Sequence, residues 1–105
     1  LFFMTMDENH RPYRLYQRDN WKEDAPTDKL LKEELDDVYW AHAFKSLDGN
    51  YAFFETASSE TSEVWFLNLK AESNTEMQCI AKRRNKVLYE IEHGHGEWWI
   101  WTNVD

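Results

Sequence analysis

The sequence predicts an all-β fold, and three observations carry that expectation. Aromatic residues are abundant, with 6 Trp, 5 Tyr and 6 Phe among 105 residues, and such side chains suit the pleated, half-buried surface of a sheet. Short stretches alternate between apolar and polar residues and are separated by polar or Gly-containing turns. Related pieces also recur at spacings of 46 to 51 residues. With 42% apolar residues and only 3 Gly and 2 Pro, the chain has the means to bury a core, which excludes disorder.

Leu1 to Met6, LFFMTM, reads as a first strand, and Asp7 to Arg11 as a polar turn. Pro12 to Arg18 is a second strand with Tyr13 and Leu15 on one face; Pro fits a strand's first residue, where no ladder donor is lost. Asn20 to Asp28, with Trp21 and Pro26, is a loop. Lys29 to Leu35 is ambiguous, because KLLKEELDD is a good helix sequence by propensity. The repeat described below makes it a strand. From Val38 to Lys45, Val38, Trp40, His42 and Phe44 share one face, while Tyr39, Ala41 and Ala43 share the other. Leu47 to Asn50 is a hairpin turn marked by Asp48-Gly49, and Tyr51 to Ala57 is the returning strand. Further strands follow at Ser62 to Lys70 and Met77 to Ala81, with the loop AESNTE between them and the basic connector Lys82 to Lys86 after. Val87 to His93 then pairs with Glu97 to Asn103 across a His93-Gly94-His95-Gly96 turn.

The repeat sets the architecture. At an offset of 51, Phe2-Phe3-Met4-Thr5 falls on Phe53-Phe54-Glu55-Thr56, and Tyr13-Arg14-Leu15-Tyr16 falls on Val64-Trp65-Phe66-Leu67. At 49, Leu30-Leu31 falls on Cys79-Ile80, Val38 on Val87 and Trp40 on Tyr89. At 46, Phe53-Phe54-Glu55-Thr56 falls on Trp99-Ile100-Trp101-Thr102. A unit of this length holding four strands is the sequence form of a β-propeller blade. The expected organisation is therefore the last three strands of one blade at 1–35, a complete blade at 38–81 and the first two strands of the next at 87–105, all within one propeller domain. A propeller needs several blades to close, so about two blades, truncated at both ends, point to a segment of a longer protein. The competing expectation is a small β sandwich or barrel that resembles itself by chance.

The stretch Thr61 to Leu67, TSEVWFL, resembles a propeller signature of the prolyl oligopeptidase family of serine peptidases, most closely its oligopeptidase B (protease II) branch. LFFMTMDENHRPYRLYQR at the start and YEIEHGHGEWWIWTN near the end agree with it in order. IAKRR takes the place of that branch's usual proline- and arginine-containing connector. The resemblance implies a seven-bladed propeller joined to an α/β-hydrolase domain with a Ser-Asp-His triad. It also implies that the propeller admits peptides and excludes folded proteins, with cleavage after Lys or Arg in short peptides. No G-x-S-x-G elbow occurs here, so the expectation is that the segment carries no catalytic, cofactor-binding or metal-ligating residue.

Charge and composition narrow the partners. A net charge of -8 argues against a nucleic-acid module and a polybasic membrane anchor. One cysteine allows no internal disulfide. No apolar run approaches the ~20 residues of a transmembrane helix, and nothing resembles a signal peptide. A cytoplasmic location is expected.

His93-Gly94-His95 lacks the further ligands of a metal site and reads as a hairpin. His42 reads as a core or inter-blade histidine rather than a base. Ser58 to Ser62 reads as a turn, because a nucleophile needs a base and an oxyanion site. Cys79 reads as a buried, inert thiol, and Lys82 to Lys86 as a solvated connector. Trp99 and Trp101 fall on one face and Trp98 on the other, a pattern of packing between blades. Rings left without cover predict self-association of the isolated segment. The acid surplus would steer cationic peptides if it lined a propeller cavity.

The primary expectation is a non-catalytic propeller segment of an oligopeptidase B-like peptidase, partnered by its α/β-hydrolase domain and serving short basic peptides. The alternative is a free-standing all-β module that binds a peptide, or a carbohydrate through its Trp-rich end.

Overall fold

The protein was analysed as a computed structural model that describes residues 2–19, 27–70 and 76–104. Nine strands follow in chain order: β1 (Phe2–Met6), β2 (Pro12–Asp19), β3 (Thr27–Glu33), β4 (Trp40–Lys45), β5 (Tyr51–Ala57), β6 (Ser62–Asn68), β7 (Gln78–Ala81), β8 (Tyr89–Gly94) and β9 (Glu97–Thr102). Among the described residues there is no helix, as the all-β expectation requires. The loop expected around Trp21 and Pro26 and most of the AESNTE loop lie outside the described residues, as do Leu1 and Asp105.

Every pairing is antiparallel, and every sheet is ordered as the chain runs. The sheets are β1-β2-β3, β4-β5-β6-β7 and β8-β9. They are hereafter the first, second and third sheets. β3 is a strand despite its helical propensity. Leu30 pairs with Tyr16 and Lys29 with Gln17, so tertiary pairing overrides a weak local preference. Several ends differ from expectation by one or two residues. β4 begins at Trp40 rather than Val38 because a turn occupies Asp36 to Tyr39: the Val38 amide donates to Asp36 Oδ1 at 3.1 Å, and the Tyr39 amide donates to the Asp36 carbonyl at 3.1 Å.

Two turns take the backbone conformations their residues suit. Gly49 has φ 74°, and its amide donates to the Ser46 carbonyl at 2.9 Å. At the second hairpin His95 and Gly96 both have positive φ, 53° and 75°, the requirement of a two-residue turn that matches strand twist.

The second sheet lies between the other two, and its middle strand shows why. Phe53 and Phe54 are adjacent in β5, point to opposite faces, and are both fully buried. Phe54 packs with Leu15, Ala41, Ala52, Leu67 and Met77 against the first sheet. Phe53 packs with Val64, Tyr89 and Ile91 against the third. Strands covered on both faces lose strict alternation, which is why YAFFETA reads as nearly continuous. Burying one such ring fully is worth roughly 1.5–3 kcal/mol.

Polar groups fasten both seams. Between the first and second sheets, buried Arg11 donates to the carbonyls of Tyr39 (2.8 Å) and Glu34 (3.1 Å) while pairing with Asp7 at 3.0 Å. Between the second and third, Ser62 Oγ accepts the Tyr89 amide at 2.8 Å and donates to the Tyr89 carbonyl at 3.0 Å. The Tyr89 hydroxyl donates to the Ala81 carbonyl at 2.6 Å and accepts the Val64 amide at 2.7 Å. It sits at the register shift between β6 and β7.

Candidate functional site

The alternation of β4 places the site. Ala41 and Ala43 turn to the first sheet, which sends His42 and Phe44 to the opposite face. β4 and β8 are each the end strand of their sheet, and a cleft of about 440 Å³ opens between them. Its lining is His42, Phe44, Glu55, Glu90, Ile91, Glu92 and Trp101. Three carboxylates and two aromatic rings thus share one space, with His42 the only basic side chain in the lining.

Glu55 is the innermost acid. It pairs across the ladder with His42, whose Nδ1 stands 3.6 Å from its carboxylate. That is longer than a hydrogen bond, so His42 is a loose partner. Burial pushes the Glu55 carboxyl above its usual range; His42 opposes the shift and Glu90 reinforces it. A carboxylate in that state gains from a cation brought beside it. The His42 ring stacks on Phe44 at 5.2 Å, and the aromatic wall adds a surface that favours cations. The cleft thus gathers three carboxylates beside an aromatic wall, and its lining supplies no nucleophile.

The closest approach to a hydrolytic grouping lies elsewhere, at Ser46, Asp48 and His93. His93 Nδ1 is 2.5 Å from Asp48 Oδ2. The Ser46 hydroxyl, however, donates to Asp48 Oδ1 at 2.7 Å rather than to the imidazole. A triad needs its hydroxyl on the histidine, so this arrangement is structural.

The other singled-out residues fall as follows. Of the two readings of His42, core or inter-blade, the core one does not hold: its side chain is 60% exposed and lines the cleft between the second and third sheets. Ser58 Oγ accepts the amides of Glu60 and Thr61 at 3.3 and 3.1 Å, the turn that was expected. Cys79 is half-buried rather than buried, because β7 is the outer strand of its sheet; burial still raises its thiol pKa. The basic connector is not uniformly solvated. Arg83 is drawn inward, donating to Glu34 and, at 2.7 Å, to Thr56 Oγ1. Trp98 packs between sheets against Tyr51 and Phe66, whereas Trp99 and Trp101 stand 47% and 56% exposed. Among the described residues no three His, Cys, Asp or Glu side chains form a metal-binding group, and no helix is long and apolar enough to cross a membrane.

Sequence reasoning missed the meeting of Glu55 with Glu90. The two are 35 positions apart, and the offset repeat that aligned the strands carried no information about which edges would face each other.

The whole chain, residues 1–105, matches the prolyl oligopeptidase N-terminal β-propeller domain. The chain belongs to that family. Protease 2 of Moraxella lacunata is 32% identical over 103 residues, which is 98% of this chain and 15% of that protein. Oligopeptidase B of Leishmania major superposes with a TM-score of 0.85 at 30% identity, over 98% of this chain and 14% of that one. Oligopeptidase B of Trypanosoma brucei, in a closed form with covalently bound antipain, superposes with a TM-score of 0.86 over 99% of this chain and 15% of that one. At 24% identity it speaks for the fold alone. The chain thus spans about one seventh of the length of these relatives, within their propeller domains.

Proposed function

We propose that this chain forms part of the propeller wall of an oligopeptidase B-like serine peptidase that hydrolyses short peptides after Lys or Arg. In this reading the first sheet supplies the last three strands of one blade (1–35), the second is a complete blade (38–81), and the third opens the next (87–105). The chain does no bond-breaking itself. Acyl transfer belongs to a Ser-His-Asp relay on an α/β-hydrolase domain, and the propeller restricts which substrates reach it. A cytoplasmic setting goes with this reading.

The observation that supports it is the acid-lined cleft of Glu55, Glu90 and Glu92. Carboxylates gathered in one cleft raise the local concentration of cationic ligands and speed their capture, which suits a peptidase for basic peptides. In the full-length protein, replacing Glu55 and Glu90 by Gln is expected to lower kcat/KM for a short Lys/Arg peptide several-fold at low ionic strength. The effect should fade in high salt as screening takes over. Unchanged kinetics at low salt would refute the assignment of the cleft.

A further inference from the structure

Two hairpins from different sheets meet at His93. One is the β4–β5 turn, and the other is the β8–β9 turn. His93 is 7% exposed and packs beside two rings that also touch each other, with centroids 4.7 Å from Tyr51 and 4.8 Å from Trp98. Its Nδ1 meets Asp48 Oδ2 at 2.5 Å. The other oxygen of Asp48 is already engaged, accepting the Ser46 hydroxyl at 2.7 Å and the Asn50 amide at 3.0 Å. Among the described residues two further polar ties join these hairpins, one short and one long. The Leu47 amide donates to Glu92 Oε1 at 2.7 Å, and the Asp48 amide reaches the His93 carbonyl at 3.4 Å. Leu47 covers Gly94 but is itself 73% exposed.

We propose that His93 is a proton-operated latch between these two hairpins. With one proton, the imidazole donates Nδ1–H to the Asp48 carboxylate. A second proton on Nε2 adds a full ion pair to a hydrogen bond that the Asp48 carboxylate already makes charge-assisted, and places a cation beside two aromatic rings. Histidine is the side chain whose charge ordinarily changes between pH 5 and 8. The charged and titratable groups facing His93 are Asp48 from the β4–β5 turn, Tyr51 from β5 and Glu92 from its own strand. Glu92 also accepts the His93 amide at 2.8 Å. The apolar seam of Phe53, Val64 and Ile91 stays closed in either state. Only the end carrying the two turns loosens, which is the scale of a local opening rather than of unfolding.

Amide hydrogen exchange on the full-length protein tests the latch, with rates corrected for the intrinsic pH dependence of exchange. Residues 46–51 and 93–98 are expected to exchange at least threefold more slowly at pH 5.5 than at pH 8.0, while the Ser58–Thr61 turn shows no difference. His93→Gln, which retains a donor but cannot take up a proton, should abolish the pH difference, and Asp48→Asn should do the same. If His93→Gln does not fold, Asp48→Asn carries the comparison. A wild-type protein without the difference, or a variant that keeps it, overturns the proposal.

Discussion

The guanidinium of Arg83 stacks on the ring of Tyr39, its Cζ 3.5 Å from the ring centroid. Arg11 holds the same residue from the other side through the Tyr39 carbonyl. The link from the first sheet to the second, Glu34 to Tyr39, is thus gripped at side chain and backbone by two arginines distant in sequence. Burial lowers the Arg83 pKa, but the hydrogen bond and charge of Glu34, with Glu63 and Tyr39, together hold it above its ordinary value.

Replacing Arg83 by Met should therefore lower stability by about 1.5–3 kcal/mol, the range for hydrogen bonds to a charged group. Arg83→Lys should recover less than half of that, because an ammonium lacks the flat surface and forked donors of a guanidinium. Urea unfolding of the wild type and both variants measures the difference. A lysine variant as stable as wild type would show that the stack contributes nothing.

Tyr89→Phe should cost about 1–3 kcal/mol although it removes a single atom. The hydroxyl serves the Val64 amide and the Ala81 carbonyl at a buried register shift, and its loss leaves both without a partner. Burial, ahead of every other influence, raises the phenol's pKa, in keeping with a donor held away from water. Thermal unfolding reads the loss, and Tyr16→Phe on the outer face of the first sheet serves as the control.

Glu55 and Asp48 should respond to pH in opposite ways. The Glu55 carboxyl is raised in the fold by burial, so its ionisation costs stability once pH passes its unfolded and then its folded value. Glu55→Gln should thus raise the melting temperature at pH 8, and the gain should shrink below pH 4. The Asp48 carboxyl is held down to about 2, first by the Ser46 hydroxyl and then by the Asn50 amide and His93. Its contribution is complete above the unfolded carboxylate value and is lost as pH falls toward 2. Asp48→Asn should flatten that acid limb. Melting temperatures from pH 2 to pH 8 separate the two trends.

Expressed alone, residues 1–105 should self-associate, because Trp99, Ile100 and Trp101 form an exposed apolar run on the outermost strand. An uncovered strand edge also invites pairing with another copy. Sedimentation velocity should show concentration-dependent association, reduced by Trp99→Ser with Trp101→Ser. A monomer at all concentrations would contradict this.

Much of the fold was legible because the information was local or periodic. Alternation located β5 and β6, Asp48-Gly49 and His95-Gly96 announced their turns, and the repeat settled β3 as a strand against its own propensity. What stayed hidden depends on pairs distant in sequence. Arg83 sits in a basic run and looks like a solvated charge; only the fold brings Glu34, Thr56 and Tyr39 to it. Asp48 reads as a turn former and His93 as a hairpin residue, and their pairing depends on how two sheets stack. The cleft stayed hidden for the same reason, since its acids come from β5 and β8 and meet only in the folded chain.

The Tyr89 hydroxyl has a consequence for anyone recombining such repeats. The gap between β6 and β7 is filled by an atom encoded after the second sheet has ended. A cassette cut at Ala81 would leave its last two strands with a hole that a foreign successor need not fill. The exchangeable module runs past Tyr89, so inheritance here is offset from geometry by one side chain.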